Sequence, residues 1–236
     1  MVNWNPVRLT AMHHQHLALG ATMVSEYGWQ RPARFLSVEE ELQRLRTNVG
    51  LLDISPVGKL SIQGENAEAL LRGAFPGVPP LDIGDVGQIV PANLPEAGSV
   101  VLARLAQDEF MALTSPNQVV SVTEVLEATS AGCAHIFDLT SALAGARITG
   151  PSAHPLLAAI SEFNTSPSSF LDMSCAQTKA AEIHGVIFRL DFSGVSSYEL
   201  YFGREFGEYM WEALLEAADE YGGGPVGLEA MARLQE

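Results

Sequence analysis

Three histidines stand close together near the start of the chain, at His13, His14 and His16. On a helix, His13 and His16 would share a face, a spacing that can hold a metal ion. No carboxylate or cysteine lies within a turn to complete such a site, so a place at a helix start or on the surface is the expectation. His135, His154 and His184 are scattered and suggest no role. The two cysteines, Cys133 and Cys175, give neither a disulfide framework nor a Cys-x-x-Cys metal spacing. Both read as small buried apolar residues. No Gly-x-Ser-x-Gly elbow is present, which argues against serine hydrolysis. No glycine fingerprint follows a strand, which argues against a dinucleotide fold.

The 236 residues suit one domain or two closely packed subdomains, and 47% apolar content suits a compact core. Thirteen Lys and Arg against 28 Asp and Glu leave a net charge of -15. Such a surface repels phosphate backbones, so nucleic acid is not an expected partner. An anionic ligand would need a local basic patch. Arg8, Arg31, Arg34, Arg44, Arg46, Lys59 and Arg72 fall in the first third of the chain. No signal-peptide pattern and no membrane-length apolar run is visible, so the expected compartment is the cytoplasm, with no membrane partner.

The elements that must position any site interleave. Ser37 with Glu40 forms a capping-box pattern and opens a helix over residues 37–49 that stops at Gly50. Leu51-Leu-Asp-Ile-Ser and Lys59-Leu-Ser-Ile-Gln read as strands, and a short helix follows Gly64. Residues 75–95 are rich in Pro and Gly and read as loop with at most one strand. A hairpin over 99–113, a helix over 118–131 and strands at Ile136 and Ala146 come next. A helix over 152–160 and a Ser-rich loop precede a strand pair over 180–192 and 197–202. The clearest helix spans 205–221, with Phe206, Met210, Leu214 and Ala218 on one stripe. Hairpins among helices favour an α+β fold with mainly antiparallel sheets over a doubly wound parallel sheet.

Three ordered stretches resemble the aminomethyltransferase family, the T-protein of glycine cleavage. The first runs Leu19-Gly-Ala-Thr-Met-Val-Ser-Glu-Tyr-Gly-Trp-Gln-Arg-Pro and on to Glu41. The second is Arg46-Thr-Asn-Val-Gly-Leu-Leu-Asp-Ile-Ser-Pro-Val-Gly-Lys-Leu-Ser-Ile-Gln-Gly. The third is Phe192-Ser-Gly-Val-Ser-Ser-Tyr-Glu-Leu-Tyr, followed by the Trp211 helix and Pro225-Val-Gly-Leu-Glu-Ala-Met. The Ser-Pro-x-Gly-Lys form of the second stretch is closer to sarcosine- and dimethylglycine-type oxidases. The resemblance implies two interlocked α/β subdomains, one from residues 1–53 and 134–236, the other inserted over 54–133. It also implies a short form without the family's C-terminal β-barrel.

The same resemblance implies tetrahydrofolate as cofactor and assigns residues to it. Glu199 matches the pterin-binding glutamate, whose carboxylate can accept from the amino group and ring N–H of the pterin edge. Phe192 matches an aromatic position near the pterin. Ser115, or close to it Asn117, matches a polar pocket position. Met231 stands where the T-protein has arginine. The family's catalytic aspartate falls at Ser99, so the catalytic residue is unassigned. Serine lacks the negative charge that stabilises a developing iminium or protonated amine. Glu96 is the nearby carboxylate and reads first as part of a solvated turn.

Three functions compete. One is a tetrahydrofolate-dependent methyl or methylene transferase or demethylase component acting on an N-, O- or S-methylated small molecule. Another is a non-catalytic folate-binding or assembly subunit of a heteromeric sarcosine-oxidase-like complex. The third is a scaffold that binds no folate. A partner subunit or self-association is compatible with the first two.

Overall fold

A computed structural model describes residues 7–94, 98–130, 132 and 134–235. Cys133 and Glu96, singled out above, lie outside the described residues. The chain opens with β1 (Arg8–Leu9), α1 (His13–Ala18), β2 (Thr22–Glu26), β3 (Trp29–Arg34) and α2 (Val38–Thr47). It continues with β4 (Gly50–Asp53), β5 (Gly58–Gln63), α3 (Ala67–Ala74), β6 (Val86–Ile89), β7 (Val100–Ala106) and β8 (Glu109–Thr114). Then come α4 (Val119–Ser130), β9 (His135–Asp138), β10 (Leu143–Thr149), α5 (Ala153–Ile160) and β11 (Ser174–Ala180). The last part holds β12 (Ile183–Arg189), β13 (Ser197–Gly203), α6 (Gly207–Asp219), β14 (Gly224–Pro225) and α7 (Leu228–Leu234).

The strands form three sheets, ordered β1-β3-β2, β11-β12-β13-β10-β4-β14 and β6-β7-β8-β5-β9. All pairings are antiparallel except β1 with β3 and β14 with β4. The fold is α+β, and none of the three sheets closes on itself. The small N-terminal sheet and the edge strand β11 were not legible in the sequence. Ser-Cys-Ala-Gln-Thr-Lys-Ala in β11 alternates too weakly to stand out, and its pairing with β12 is what makes it a strand.

Period-two alternation builds the layers. Ala144, Ala146 and Ile148 of β10, with Tyr198, Leu200 and Phe202 of β13, face α5 and α6 and pack on Trp211 and Leu214. Leu60 and Ile62 of β5, with Phe110 and Ala112 of β8, face α3 and α4. The opposite faces meet: Met111 and Leu113 of β8 share a core with Leu52, Phe188 and Tyr201 of the six-stranded sheet. The order is helices, sheet, sheet, helices, with a third apolar layer between the sheets.

Two buried charged groups hold this arrangement. Glu41 of α2 is fully buried. It accepts from the backbone N–H groups of Phe35 and Leu36, and from Gly227 N at 2.8 Å where α7 begins. One carboxylate thus ties the first sheet's exit to the last helix. Ser37 caps α2 and forms the full capping box with Glu40.

Lys59 lies between the sheets, wholly buried. Its Nζ donates to the carbonyls of Ser55 and Val57, both at 2.7 Å, and sits 5.7 Å from the Tyr201 ring centre. Burial pushes the ammonium down to about 7, against the opposing pull of Asp53, Asp138 and Glu199.

The first expected outcome is that Glu41→Ala costs about 3 kcal/mol in urea denaturation, since three backbone N–H groups, that of Gly227 buried, lose their charged acceptor. A loss under about 1 kcal/mol would mean that water replaces the carboxylate. The second concerns pH. An unfolded lysine keeps its proton to about pH 10.4, so between that value and pH 7 the unfolded chain binds more protons than the folded one. Stability therefore rises with pH across that window, and the Lys59 contribution is constant below it. Lys59→Met should flatten the rise in unfolding free energy between pH 7 and 9. An unchanged slope would assign the titration to another group.

Candidate functional site

The neighbouring strands β10 and β13 pair residue for residue, with Gly145 opposite Tyr201, Arg147 opposite Glu199 and Thr149 opposite Ser197. All six point to the face turned toward the five-stranded sheet, because their neighbours 144, 146, 148, 198, 200 and 202 fill the opposite core. Each rung is a specific contact. A Cβ at Gly145 would come within 2.8 Å of the Tyr201 ring, so glycine makes room for it. Arg147 Nε donates to Glu199 Oε1 at 3.0 Å, and Nη2 donates to the same oxygen. The hydroxyls of Thr149 and Ser197 are 2.8 Å apart.

Glu199 is the centre of the ladder. Its other oxygen, Oε2, accepts from the Tyr201 hydroxyl at 2.5 Å. Burial and the Glu199 carboxylate push the Tyr201 hydroxyl well above its usual range, so it remains a donor. Burial opposes the charge of Arg147, and Glu199 outweighs it, so the guanidinium holds its proton more tightly than usual. The guanidinium carbon lies 5.2 Å from the Phe192 ring centre.

This ladder forms one wall of a cavity of about 350 Å³ between the two sheets. Arg147, Glu199, Phe192, Asp191, Leu190 and Met173 come from the six-stranded side. Gln88, Ser99, Val101, Leu113, Thr114 and Ser115 close the other side. The cavity therefore gathers Glu199 and Phe192 with Ser115 and Ser99, from three separate parts of the sequence. Ser99 Oγ accepts from Gln88 Nε2. Asn117 is exposed and outside the lining. Met231 is buried in the core with Val226, Ala230 and Leu234 and does not line the cavity.

Sequence reading missed Arg147, Asp191 and Thr114. Asp191 pairs with Arg189, Nη2 to Oδ2 at 2.9 Å, and accepts from Ser197 N at 3.2 Å. Thr114 Oγ1 is buried without a hydrogen-bond partner among the described residues. For Asp191 the only signal was its place beside Phe192; for Arg147 it was the inward parity of β10, useful only once the register with β13 is known.

His13 opens α1 and His14 is exposed, as expected, but His16 departs from the expectation. His16 is neither on the surface nor a bare helix start: it is fully buried, with Nε2 2.8 Å from Asp53 Oδ2. Asp53 is 37 residues away in sequence, so a search within one turn could not find it. Burial disfavours the Asp53 charge, but its side-chain partners, His16 foremost, outweigh it and hold the carboxyl below its usual range; Oδ1 also accepts from the Ser55 N–H at 2.9 Å. Among the described residues, no three His, Cys, Asp or Glu side chains converge as metal ligands. Cys175 is buried, and burial with the nearby Asp85 pushes its thiol up to about 12. No helix among the described residues is long and apolar enough to cross a membrane.

Known proteins share this fold. An aminomethyltransferase of Streptomyces coelicolor is 28% identical over 240 residues, covering 97% of this chain and 62% of that protein. The sarcosine oxidase subunit alpha of Rhizobium meliloti is 29% identical, covering 99% of this chain and 26% of that one. The chain thus spans under two thirds of the length of these relatives. Among solved structures, the glycine cleavage system aminomethyltransferase T of Bartonella henselae superposes with a TM-score of 0.83 at 22% identity. That match covers 97% of this chain and 62% of the other. A chain of the heterotetrameric sarcosine oxidase of Corynebacterium sp. U-96 superposes with a TM-score of 0.67 at 20% identity, covering 91% of this chain and 96% of that one. The model of the GCVT N-terminal domain matches residues 12–235, and the chain belongs to that family.

Proposed function

We propose that the cavity binds tetrahydrofolate and that the chain is a folate-binding component of one-carbon transfer. The observation that carries this reading is the meeting of Glu199 and Phe192 on one wall of a cavity of about 350 Å³. A carboxylate beside an aromatic face suits a pterin, which offers adjacent N–H donors at its edge and a flat ring to stack. The volume falls in the ordinary range for small-molecule sites, about 300–1,000 Å³. Val101, Leu113 and Leu190 supply the apolar remainder. When bound, tetrahydrofolate supplies the nucleophilic nitrogen that accepts a one-carbon unit. The chain's own residues hold the pterin, orient it and keep water from it. The donor is a small N-, O- or S-methylated molecule. Residues 54–133 are read as the inserted subdomain; the five-stranded sheet draws on residues 58–138, so its edge strand β9 lies just past that boundary.

A second reading is a non-catalytic folate-binding or assembly subunit of a heteromeric complex of the sarcosine-oxidase kind. Ser99 favours it, because the cavity has a neutral hydroxyl where the resemblance calls for a carboxylate. Among the described residues, the second carboxylate lining the cavity, Asp191, is already held by Arg189. The near-full coverage of a chain from a heterotetrameric oxidase also favours it.

Calorimetric titration with tetrahydrofolate under reducing conditions tests the shared part. Saturable binding is expected, weakened by about 1–3 kcal/mol in Glu199→Gln, the usual effect of unpairing a charged hydrogen bond. Equal affinity of the variant would reject the pterin assignment. Product analysis with methylated amines then separates the readings. Methyl- or methylene-folate marks a transferase, and binding without turnover marks the subunit role.

A further inference from the structure

The Glu199 carboxylate is already occupied from within the chain. A carboxylate offers about four acceptor positions. Arg147 fills two of them at Oε1 through Nε and Nη2, and the Tyr201 hydroxyl fills one at Oε2. A pterin edge needs two adjacent positions, and one is left. Phe192 is engaged as well, since the Arg147 guanidinium carbon sits 5.2 Å from its ring centre.

The occupant resembles the ligand in its chemistry. A guanidinium is a flat fork of N–H donors on one carbon that pairs with carboxylates and stacks on aromatic rings. The aminopyrimidinone edge of a pterin carries the same H–N–C–N–H fragment on a flat ring. Arg147 therefore makes two contacts at the places such a ring would use, carboxylate pairing with Glu199 and a cation–π contact with Phe192. It reaches them from the central strand β10, in register with Glu199. Its side chain is 22% exposed, against 4% for Glu199, so it is the pair's more solvent-facing member. The buried Thr114 Oγ1, which lines the same cavity and has no partner among the described residues, is a polar atom that an entering ligand would satisfy.

We infer that Arg147 is a built-in stand-in for the pterin edge: it occupies the Glu199–Phe192 subsite and must be displaced for a folate to bind. The inference rests on the folate reading above. Self-occupancy lowers the apparent affinity by the fraction of time that the subsite is free. The chain binds folate weakly alone, and anything that draws Arg147 outward, such as the acidic tail of the folate itself, opens the site.

Calorimetric titration of wild type, Arg147→Ala and Arg147→Ala/Glu199→Gln with tetrahydrofolate tests this. Arg147→Ala is expected to bind about tenfold tighter or more, as for a subsite self-occupied at least nine-tenths of the time. The double variant is expected to lose the gain. Wild-type binding with an equal or weaker Arg147→Ala overturns the inference and leaves the folate reading standing. No binding by either protein at millimolar folate removes the folate reading and the inference with it. Should Arg147→Ala fold poorly, the wild type still decides. In protein labelled with 15N at arginine Nε, the Arg147 signal, assigned with Arg147→Lys, is expected to shift and exchange faster with water at saturating folate. An unmoved signal in a folate-saturated protein overturns the inference.

Discussion

The register between β10 and β13 is the constraint on which the rest of the site depends. Because side chains alternate, a slip of one residue would turn Arg147 and Glu199 into the helix-covered core and bring Ile148 and Leu200 into the cavity. The helix-facing rungs, Ala144, Ala146 and Ile148 against Phe202, Leu200 and Tyr198, fix that register through apolar burial under Trp211 and Leu214. The polar ladder on the other face is thus placed by packing it does not share. Glu199 is central: its two oxygens carry Arg147 and Tyr201, and Tyr201 in turn lies over Gly145.

The second sheet gives the ladder a cavity rather than a solvent surface. Met111 and Leu113 meet Phe188 and Tyr201 between the sheets, and the space beyond them is the cavity. Lys59 crosses the same interface from the five-stranded side, where its Nζ is held by two carbonyls. Burying an ammonium there is unfavourable in isolation, and the carbonyls and the Tyr201 ring offset part of that cost. In a chain with net charge -15, the cations that matter are the few held inside. Arg147, Arg189 and Lys59 each meet an acceptor, and Arg147 and Arg189 each meet a carboxylate.

Membership of the GCVT family sets the framework, and the departures set the questions. Ser99, where the resemblance expects an acid, lines the cavity rather than a distant loop. Met231 belongs to the apolar core, packed near Val226 and Leu234, so its difference from arginine bears on packing rather than on the cavity.

Much was legible in the sequence. Alternation in Lys59-Leu-Ser-Ile-Gln and around Leu200, the capping box at Ser37, and the stripe on α6 are local patterns, and local patterns fix element type. The resemblance assigns Glu199, Phe192, Ser115 and Met231 to the pterin and Ser99 to the catalytic position, and the cavity lining includes all of these but Met231. Three things only the tertiary structure decided. His16 meets Asp53, Arg147 meets Glu199, and Met231 turns to the core, and each depends on which distant strand or helix lies alongside. Pair contacts across a sheet follow from register, and register follows from the burial of whole faces, a sum over many residues that no single stretch of sequence records.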